Sequence, residues 1–590
     1  MGARPMAPPA GKPVGARPTV PPPSRPAKKK REHWRKTMFR IHGWLGLNVG
    51  LLLFVICFSG SVATISNEID WLLNADARVA AADAPYDWDA MHETLQNTFP
   101  DARVSGLYVS GSMGTMASAG KRMAALAYVS LPEGGTRKVY LNPYTGELQA
   151  NTNFFNVQRF FRTFHRRLFD GARGIFIVTL WSLFLLAATI SGFVFYKGWV
   201  RQLFTLRLSK GLRLRWSDLH KTLSAWALLF SFLIAVTGFF YLVEVIFQRA
   251  DNYSALLPPP LPQVDEAELP DAGSHVALLP PSAYIQAAEA AYPGLRIQGL
   301  RMPTDPGRAV YVDGQAGNIL TRDRADKVHL HPATADVLGI QKTSDLDATP
   351  FITDAVDPLH FGYFGGLATK LLWFVLGLVL SFSILSGTYL WLIRTEGKKR
   401  GTTSKWLRGA PVAALITLAY LAVVTFATAD GIQVYAPSNR VPTPIAERTV
   451  GPYDVRIDCV SPCDTGTGAR MAVRFLGEAL PNYADAQITV SDGEVHDLRG
   501  SSIRPTATVE ASQGEALTLR VTMHDGAVHE AAFTPAMLAP LPPAARWPDA
   551  IPGVYVVVVL FIVATVGSIV LWMVLVVRAL RKATLMTAVA

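Results

Sequence analysis

The stretch that decides the fold is residues 41–66, IHGWLGLNVGLLLFVICFSGSVATIS, which holds no Lys, Arg, Asp or Glu. A helix needs about 20 apolar residues to cross the hydrocarbon layer of a bilayer, and this run is longer than that. Inside lipid only helices and closed barrels satisfy their own backbone polar groups, and the run lacks the alternation of a strand. It therefore predicts a transmembrane helix.

Five further uncharged runs have comparable lengths. They cover residues 174–196, 222–243, 371–393, 409–428 and 551–577. The chain of 590 residues is 50% hydrophobic and only 17% charged, against roughly 25% charged residues in soluble domains. This composition excludes a disordered chain and a coiled coil. We therefore predict an α-helical polytopic membrane protein with six transmembrane helices.

Basic residues cluster in every second segment that connects or flanks these runs. They cluster in residues 28–40, in the loop 201–219, in residues 394–408 and in the tail 578–590. Because cytoplasmic loops of membrane proteins carry an excess of Lys and Arg, this pattern predicts that both termini are cytoplasmic. The formal net charge of +11 is therefore assigned to membrane topology. We predict contact with a lipid bilayer and no nucleic acid partner.

The remaining segments define the domain organisation. Residues 1–37 are rich in Pro and Arg without apolar periodicity, which predicts a disordered cytoplasmic arm. Three long connections, 67–173, 244–370 and 429–550, fall on the outer side. Each mixes alternating apolar residues with turn residues, a pattern typical of small α+β or β domains. We expect the last of them to be β-rich.

The first four runs form a tandem repeat. A histidine precedes a pair of small residues at two spacings, and each spacing occurs twice. At 17 residues stand His42 with Ser59-Gly60 and His220 with Thr237-Gly238, and at 26 residues stand His165 with Ser191-Gly192 and His360 with Ser386-Gly387. Four coincident spacings are hard to obtain by chance, so we predict two units, 38–200 and 220–396.

The four histidines fall at two levels, with His42 and His220 at inner helix ends and His165 and His360 on the outer side. Two neutral imidazoles facing each other across a gap lined by small residues can take the two axial positions of a haem iron. The repeat therefore favours two haem sites. A single His at a helix end is more often an interfacial anchor, and the small pairs could equally be helix-packing sites.

Five short motifs within residues 38–396 point to one family. They are IHGWLG (41–46), FHRRL (164–168), LHKTL (219–223), LHFG (359–362) and, in the first outer domain, YLNPYTGEL (140–148). With these motifs the segment resembles the PepSY-associated transmembrane helix family of bacterial inner-membrane proteins. The resemblance implies PepSY-like outer domains in both units and a location in the bacterial inner (plasma) membrane.

The resemblance also implies a function, because family members of this type resemble ferric-siderophore reductases with two b-type haems. It implies that His42, His165, His220 and His360 bind two haem b groups and that electrons pass outward to a periplasmic acceptor. A ferric siderophore or another ferric chelate is the favoured acceptor, since hard oxygen ligands hold ferrous iron less tightly. The cytoplasmic segments lack a Gly-x-Gly-x-x-Gly or Walker loop, so the donor is a quinol or a separate reductase. No separate catalytic side chain is predicted.

A non-enzymatic function is the alternative. PepSY domains resemble inhibitory or regulatory binding domains, so the outer parts could bind a periplasmic peptide or an assembly partner while the histidines serve as anchors. A transporter is a third interpretation. The repeat is parallel, and no run carries an acidic residue at its centre, which argues against an ion-coupled carrier.

Two smaller signals lie in the outer segments. Cys459 and Cys463 stand where a disulfide is allowed, and a structural bridge is favoured over a copper or redox site. His329 and His331 alternate on one face of a predicted strand. An exposed surface pair is favoured there over contact with an iron chelate.

Overall fold

The structure is a computed structural model, and it describes most of the chain. The described residues are 26–99, 102–109, 120–130, 136–152, 156–196, 200, 203–207, 211–260, 264, 275–395, 412, 414–424, 443–461, 469–477, 479–509, 516–533 and 552–588.

Helices dominate the part of the chain predicted to enter the membrane. In chain order they are α1 Pro26–Asn48, α2 Gly50–Thr64, α3 Ser66–Leu73, α4 Trp88–Thr98, α5 Val157–Arg167, α6 Gly171–Phe195, α7 Leu212–Trp226, α8 Leu228–Arg249, α9 Pro281–Ala291, α10 Ala348–Phe361, α11 Gly366–Thr395, α12 Ala414–Val424 and α13 Pro552–Ala588.

Within the described residues, the strands lie in the long connections. The first two connections contain β1 Arg103–Tyr108, β2 Ala125–Ser130, β3 Thr136–Leu141, β4 Leu148–Thr152, β5 His275–Val276, β6 Arg296–Arg301, β7 Val310–Gln315, β8 Asp326–Leu330 and β9 Val337–Gln341. The third contains β10 Thr443–Val450, β11 Tyr453–Ser461, β12 Ala469–Phe475, β13 Leu480–Pro481, β14 Asp485–Val490, β15 Val495–Asp497, β16 Thr506–Val509, β17 Leu517–Thr522 and β18 Val528–Phe533.

The chain is a multi-pass membrane protein by the length and apolarity of its helices. Four described stretches qualify as single straight spans, namely Gly171–Phe195, Leu228–Arg249, Tyr363–Trp391 and Gly553–Arg578. The first predicted span is a bent pair, His33–Asn48 with Gly50–Thr64, which makes up to five. Of the predicted run 409–428, the described helix is the shorter α12. The sixth span therefore stays a prediction.

The bend of 70° in the first span lies at Val49, between α1 and α2. Thr388 of α11 donates its hydroxyl hydrogen to the carbonyl oxygen of Gly46 at 3.0 Å. A side chain that enters the backbone ladder of a helix is a recognised cause of a sharp kink. A Cβ on the neighbouring Gly50 would make an ordinary contact with Ile384 of α11, at 3.5 Å.

The apolar helices close into a ring. The first span packs on α6, α6 packs on α8, α7 packs on α11, and α11 returns to α2. Small residues allow the close approach of α8 to α6, because a Cβ on Gly238 would lie 2.9 Å from Ser182. The ring thus brings the first and fourth spans together and leaves α13 to pack on its outside, against α11, α5 and α3.

The first two outer connections share one antiparallel sheet of eight strands in the order β4-β3-β2-β1-β6-β7-β8-β9. Each connection supplies four consecutive strands preceded by a helix, α4 in the first and α9 in the second. Both helices pack on the same core as the sheet. The two halves meet where β1 pairs with β6, so one continuous sheet covers both units.

The third connection forms the expected β-rich domain. Two four-stranded antiparallel sheets, β10-β11-β12-β16 and β15-β14-β17-β18, enclose a common apolar core. The short pairing of β13 with β5 joins this domain to the second unit. A second link is the backbone amide of Ser502, which donates to Asp305 at 2.5 Å.

The expected disorder of the N-terminal arm, residues 1–37, is wrong for its last part. Residues 1–25 lie outside the described residues, but α1 already begins at Pro26. Proline is well suited to a first helical position because its missing N–H has no helical partner there. The tail 578–590 is likewise helical as far as Ala588.

Candidate functional site

The four predicted histidines lie on four different helices. His42 is in α1, His165 in α5, His220 in α7 and His360 in α10. We call His165 and His360 the outer pair, and His42 and His220 the inner pair. Each ring is held by the small-residue pair on the other apolar helix of its own unit.

Backbone carbonyls anchor the two histidines of the first unit. His165 Nδ1 donates to the carbonyl oxygen of Ile56 at 2.9 Å, and His42 Nδ1 donates to that of Ala188 at 3.0 Å. A carbonyl oxygen can only accept, so Nδ1 carries the proton in both rings. The remaining nitrogen, Nε2, therefore keeps its lone pair.

Hydroxyl groups anchor the two histidines of the second unit. His360 Nδ1 lies 2.8 Å from the hydroxyl of Thr237, and His220 Nδ1 lies 3.1 Å from that of Ser386. Each hydroxyl donates its single hydrogen to a carbonyl of its own helix, that of Leu233 or of Ser383. Each must therefore accept from Nδ1–H, which again leaves Nε2 unprotonated. Such a hydrogen bond is the usual outer-shell support of a metal-binding imidazole.

Glycine, the second member of each small pair, makes room for a ring. A Cβ on Gly60 would lie 2.6 Å from Cε1 of His165, closer than real Cβ contacts come. The corresponding distances are 3.0 Å from Gly387 to His220 and 3.3 Å from Gly192 to His42. Gly238 differs, because its nearest neighbour is Ser182 of α6 and not a histidine. The glycine of three of the four predicted small pairs thus lies directly against an imidazole ring.

The rings of the outer pair lie close together. Their centroids are 6.3 Å apart and their planes differ by 33°. Two imidazoles that bind one metal from opposite sides have centroids about 6 Å apart, because each metal–nitrogen bond is about 2 Å long. The observed separation of His165 and His360 matches this requirement for two ligands on one metal ion, although ordinary ring contacts such as Phe160–Phe164 have a similar separation.

Both rings of the outer pair are neutral. Loss of hydration lowers the pKa of His165, and loss of hydration together with the nearby His165 lowers the pKa of His360 to about 3. The side chains nevertheless remain only half-buried. A neutral imidazole keeps the lone pair on its unprotonated nitrogen and can act as a ligand.

A charged network missed by the sequence lies beside His360. Tyr241 packs its ring edge-on against His360 at 5.1 Å and donates its hydroxyl to Asp357 at 2.7 Å. Arg322 Nε donates to the other oxygen of Asp357 at 2.8 Å, and its Nη1 lies 3.4 Å from Asp354. Arg322 follows β7 and shares no sequence motif with His360, so no local pattern predicts this contact.

The last apolar helix, α13, supports the helix that carries His165. The Phe561 ring contacts those of Phe161, Phe164 and Phe58, with centroids 4.8, 5.5 and 5.5 Å away. The pairs with Phe161 and Phe164 are edge-to-face and the pair with Phe58 is stacked. Aromatic pairs of both kinds stabilise a structure beyond the apolar area that they bury. Phe161 and Phe164 lie four residues and one residue before His165 on α5, so the packing of α13 helps to fix the direction of that helix.

The turn after His165 is held from another helix. Leu168 and Phe169 have φ angles of 48° and 58°, the left-handed region that residues other than glycine rarely adopt. The next residue, Asp170, is buried and accepts hydrogen bonds from Arg173 at 2.8 Å and from Tyr420 of α12 at 3.0 Å. Such a backbone persists only where its surroundings hold it.

The cysteines of the third outer domain are partly described. Cys459 in β11 is disulfide-bonded, whereas Cys57 in α2 is a free thiol. Cys463, the predicted partner of Cys459, lies outside the described residues. The bridge between these two positions therefore stays a prediction.

The expected exposed pair of His329 and His331 is wrong. His331 is only 4% exposed, and half-buried His329 stacks on Tyr311 with centroids 5.3 Å apart. Lys327 lies on the same face of β8, and burial lowers its pKa while Asp354 of α10 opposes that effect. This face of the sheet is thus covered by other parts of the protein.

The described residues contain no group of three or more His, Cys, Asp or Glu side chains arranged to hold a metal ion. A haem iron needs fewer ligands from the protein than a bare metal ion does, because the porphyrin supplies four and the protein supplies only the axial ones. The two rings of the outer pair, with room made by Gly60, fit that requirement.

Comparison with known proteins identifies the family. No curated protein matches the chain. The family model of the PepSY-associated TM region matches residues 39–394, which is more than half of the chain and includes all four histidines. The match confirms the predicted resemblance. The chain is thus a multi-pass membrane protein that belongs to the PepSY-associated TM family.

Proposed function

We propose that this protein is a membrane oxidoreductase that holds two haem b groups. His165 and His360 bind the outer haem, and His42 and His220 bind the inner one. The observation that carries the proposal is the outer pair, with two neutral imidazoles whose centroids lie 6.3 Å apart. For the inner pair the support is the same Nδ1 anchoring, which leaves Nε2 of each ring as the ligand atom.

A haem with two imidazole ligands supplies one-electron transfer when it is bound. The residues of this chain supply the rest. The small pairs fix the tautomer and the direction of each ring, and the aromatic contacts of Phe561 with α5 hold the helix of His165 in place. A ring held rigidly is a better ligand, because little conformational entropy is lost when the metal binds.

The proposed direction of electron flow follows from the topology. The chain crosses the bacterial inner membrane six times with both termini in the cytoplasm, and its first four spans form a tandem repeat with a PepSY-like half-sheet in each unit. Electrons enter from a quinol or a separate reductase and leave to a periplasmic acceptor. The favoured acceptor is a ferric siderophore or another ferric chelate in iron uptake, because reduction weakens the hold of hard oxygen ligands on iron.

The visible spectrum of the purified full-length protein tests the proposal. From haem-replete cells it should show the sharp α and β bands of reduced bis-histidine haem, with about two haems per chain. His92→Ala, on α4 of the outer domain, is the control and should leave the bands unchanged. A colourless preparation would overturn the proposal and favour a non-enzymatic membrane module that binds a periplasmic peptide or an assembly partner.

A further inference from the structure

A cavity of about 310 Å³ lies between the eight-stranded sheet and the outer end of α11. Its polar lining consists of Arg296, Gln298, Gln315, Asp323, Tyr363 and Lys370. The strands β6 and β7 form one wall, and the start of the Tyr363–Trp391 span forms the other. This is the boundary between the outer domain and the predicted membrane surface.

Aromatic rings connect the cavity to the outer pair. The ring of His360 contacts that of Phe361 with centroids 5.5 Å apart, and Phe361 stacks on Tyr363 at 6.4 Å and 13°. Tyr363 lines the cavity. Two ring contacts therefore separate a molecule in this cavity from a histidine that the proposed function assigns to the outer haem.

Two polar groups that line the cavity have no hydrogen-bond partner within the part of the chain that the structure describes. The side-chain amide of Gln298 and the hydroxyl of Tyr363 make no hydrogen bond there. Burial raises the pKa of Asp323 to about 6, so its carboxyl is largely ionised at neutral pH. Arg296 and Gln315 are joined to each other at 2.9 Å at the rim. The wall thus presents both donors and an acceptor to a ligand.

We propose that this cavity binds the electron acceptor and that the acceptor is a small ferric chelate with hydroxycarboxylate ligands. The volume is at the lower end of ligand pockets, which span about 300–1,000 Å³. Gln298, Tyr363 and Arg296 donate hydrogen bonds to carboxylate oxygens of the chelate. This proposal rests on the proposed function, because the electron comes from the haem. One electron passes from the reduced cofactor to Fe(III) and gives Fe(II), and no covalent bond is made or broken.

Binding of a chelate that cannot be reduced tests the site apart from the chemistry. Gallium(III) citrate has the same ligands as ferric citrate and takes no electron. Titrated calorimetrically into the haem-loaded full chain, it should bind, and Tyr363→Phe and Gln298→Leu should each weaken binding about tenfold, since each removes one hydrogen bond to a charged ligand. Tyr311→Phe, a hydroxyl removed from the sheet outside the cavity, is the matched control and should change the Kd less than twofold.

A kinetic measurement gives the second readout. Oxidation of the reduced protein by ferric citrate should slow about tenfold in Tyr363→Phe at subsaturating chelate, in proportion to the lost affinity. The visible spectrum of this variant should stay that of the parent, which shows that the variant is folded and retains its cofactors.

Several outcomes would overturn the inference. Unchanged gallium citrate affinity in both variants would place the acceptor elsewhere. Binding of a gallium trihydroxamate complex in preference to the citrate complex would reject the hydroxycarboxylate class. The failure of the proposed function is distinguishable, because a protein without haem bands that still binds gallium citrate in a Tyr363-dependent manner would refute the haem and support the cavity.

Discussion

The outer and inner histidine pairs are anchored in the same way, but their surroundings differ. In both pairs Nδ1 donates to a carbonyl or hydroxyl on a facing helix. Around the outer pair stand the charged network of Arg322 and the aromatic contacts of α13. The ring of His42 contacts that of Phe195. Trp391 packs close to the neighbouring Gly43, because a Cβ added to Gly43 would lie 3.2 Å from it.

This difference shows which parts of the chain support the outer histidine pair and which support the inner pair. The anchors belong to the four apolar helices that carry the small pairs, namely α2, α6, α8 and α11. The additional contacts of the outer pair come from elements outside that set, namely the loop after β7, α12 and α13. We therefore expect substitutions in the last two apolar helices to act on the outer level and to spare the inner one.

The largest expected effect comes from removing a ring of the outer pair. His165→Ala and His360→Ala should each lower haem content from about two per chain to about one, because an iron that needs two axial ligands is left with one. The double variant should lose no more than either single variant. Haem is counted by the pyridine haemochrome assay, and loss of the same bands in His42→Ala would contradict the division into two levels.

Gly→Ala substitutions beside the outer and the inner histidines add the same methyl group, so they compare the packing at the two levels directly. Gly60→Ala should displace His165, whose Cε1 would lie 2.6 Å from the new Cβ, whereas Gly192→Ala leaves 3.3 Å to His42. Overpacking of this kind costs about 1–3 kcal/mol. Thermal unfolding and the outer haem bands should respond more strongly to Gly60→Ala.

Gly46→Ala is the matched control for these variants, because among the described residues no atom outside the adjoining helix backbone lies within 4 Å of its added Cβ. It should leave both haems and the unfolding temperature unchanged. A larger effect of Gly192→Ala than of Gly60→Ala would reverse the comparison between the levels.

Phe561→Ala tests the support that α13 gives to α5. Removal of a large aromatic ring from a packed core costs about 3–5 kcal/mol, and here the ring contacts Phe161 and Phe164 in the turn of α5 that precedes His165. The outer haem should bind more weakly, measured by transfer of haem to apomyoglobin. Val563→Ala on the same helix, 62% exposed, should have no such effect. Equal loss of both haems would show that α13 serves the whole bundle.

The smallest effect is expected from Tyr420→Phe. It removes one hydrogen bond to Asp170, whose distance is 3.0 Å, and should lower the free energy of unfolding by about 1 kcal/mol. The outer bands should shift slightly while the inner bands do not. Tyr389→Phe is the control, since within the described residues its hydroxyl makes no hydrogen bond. A shift confined to the inner bands would refute the link between α12 and the outer level.

Much of the site was predictable, because its parts repeat along the chain. The repeated spacings of 17 and 26 residues identify all four histidines and all four small pairs. In the structure, the pairs Ser191-Gly192, Ser386-Gly387 and Ser59-Gly60 each contact an imidazole. The spacing misleads in one respect. Ser191 and Gly192 hold His42, not the histidine from which the spacing was counted.

The network around Arg322 and the contacts of Phe561 and Tyr420 were not predictable. Arg322 reaches Asp357 from a loop, and Tyr420 reaches Asp170 across 250 positions of the chain. A single charged or aromatic residue has no periodicity, so its partner depends only on which elements the fold brings together. The burial of His331 has the same origin, because the strand pattern fixes its face but not what covers that face.

The sequence by itself determined where the apolar helices lie and which residues repeat, since the thickness of the bilayer sets the length of an apolar helix and duplication keeps spacings. Only the tertiary structure decided that each histidine is held by the other apolar helix of its unit and that His165 meets His360. These contacts depend on the rotation and depth of one helix against another. Those quantities arise from packing between surfaces distant in the chain, and no local spacing specifies them.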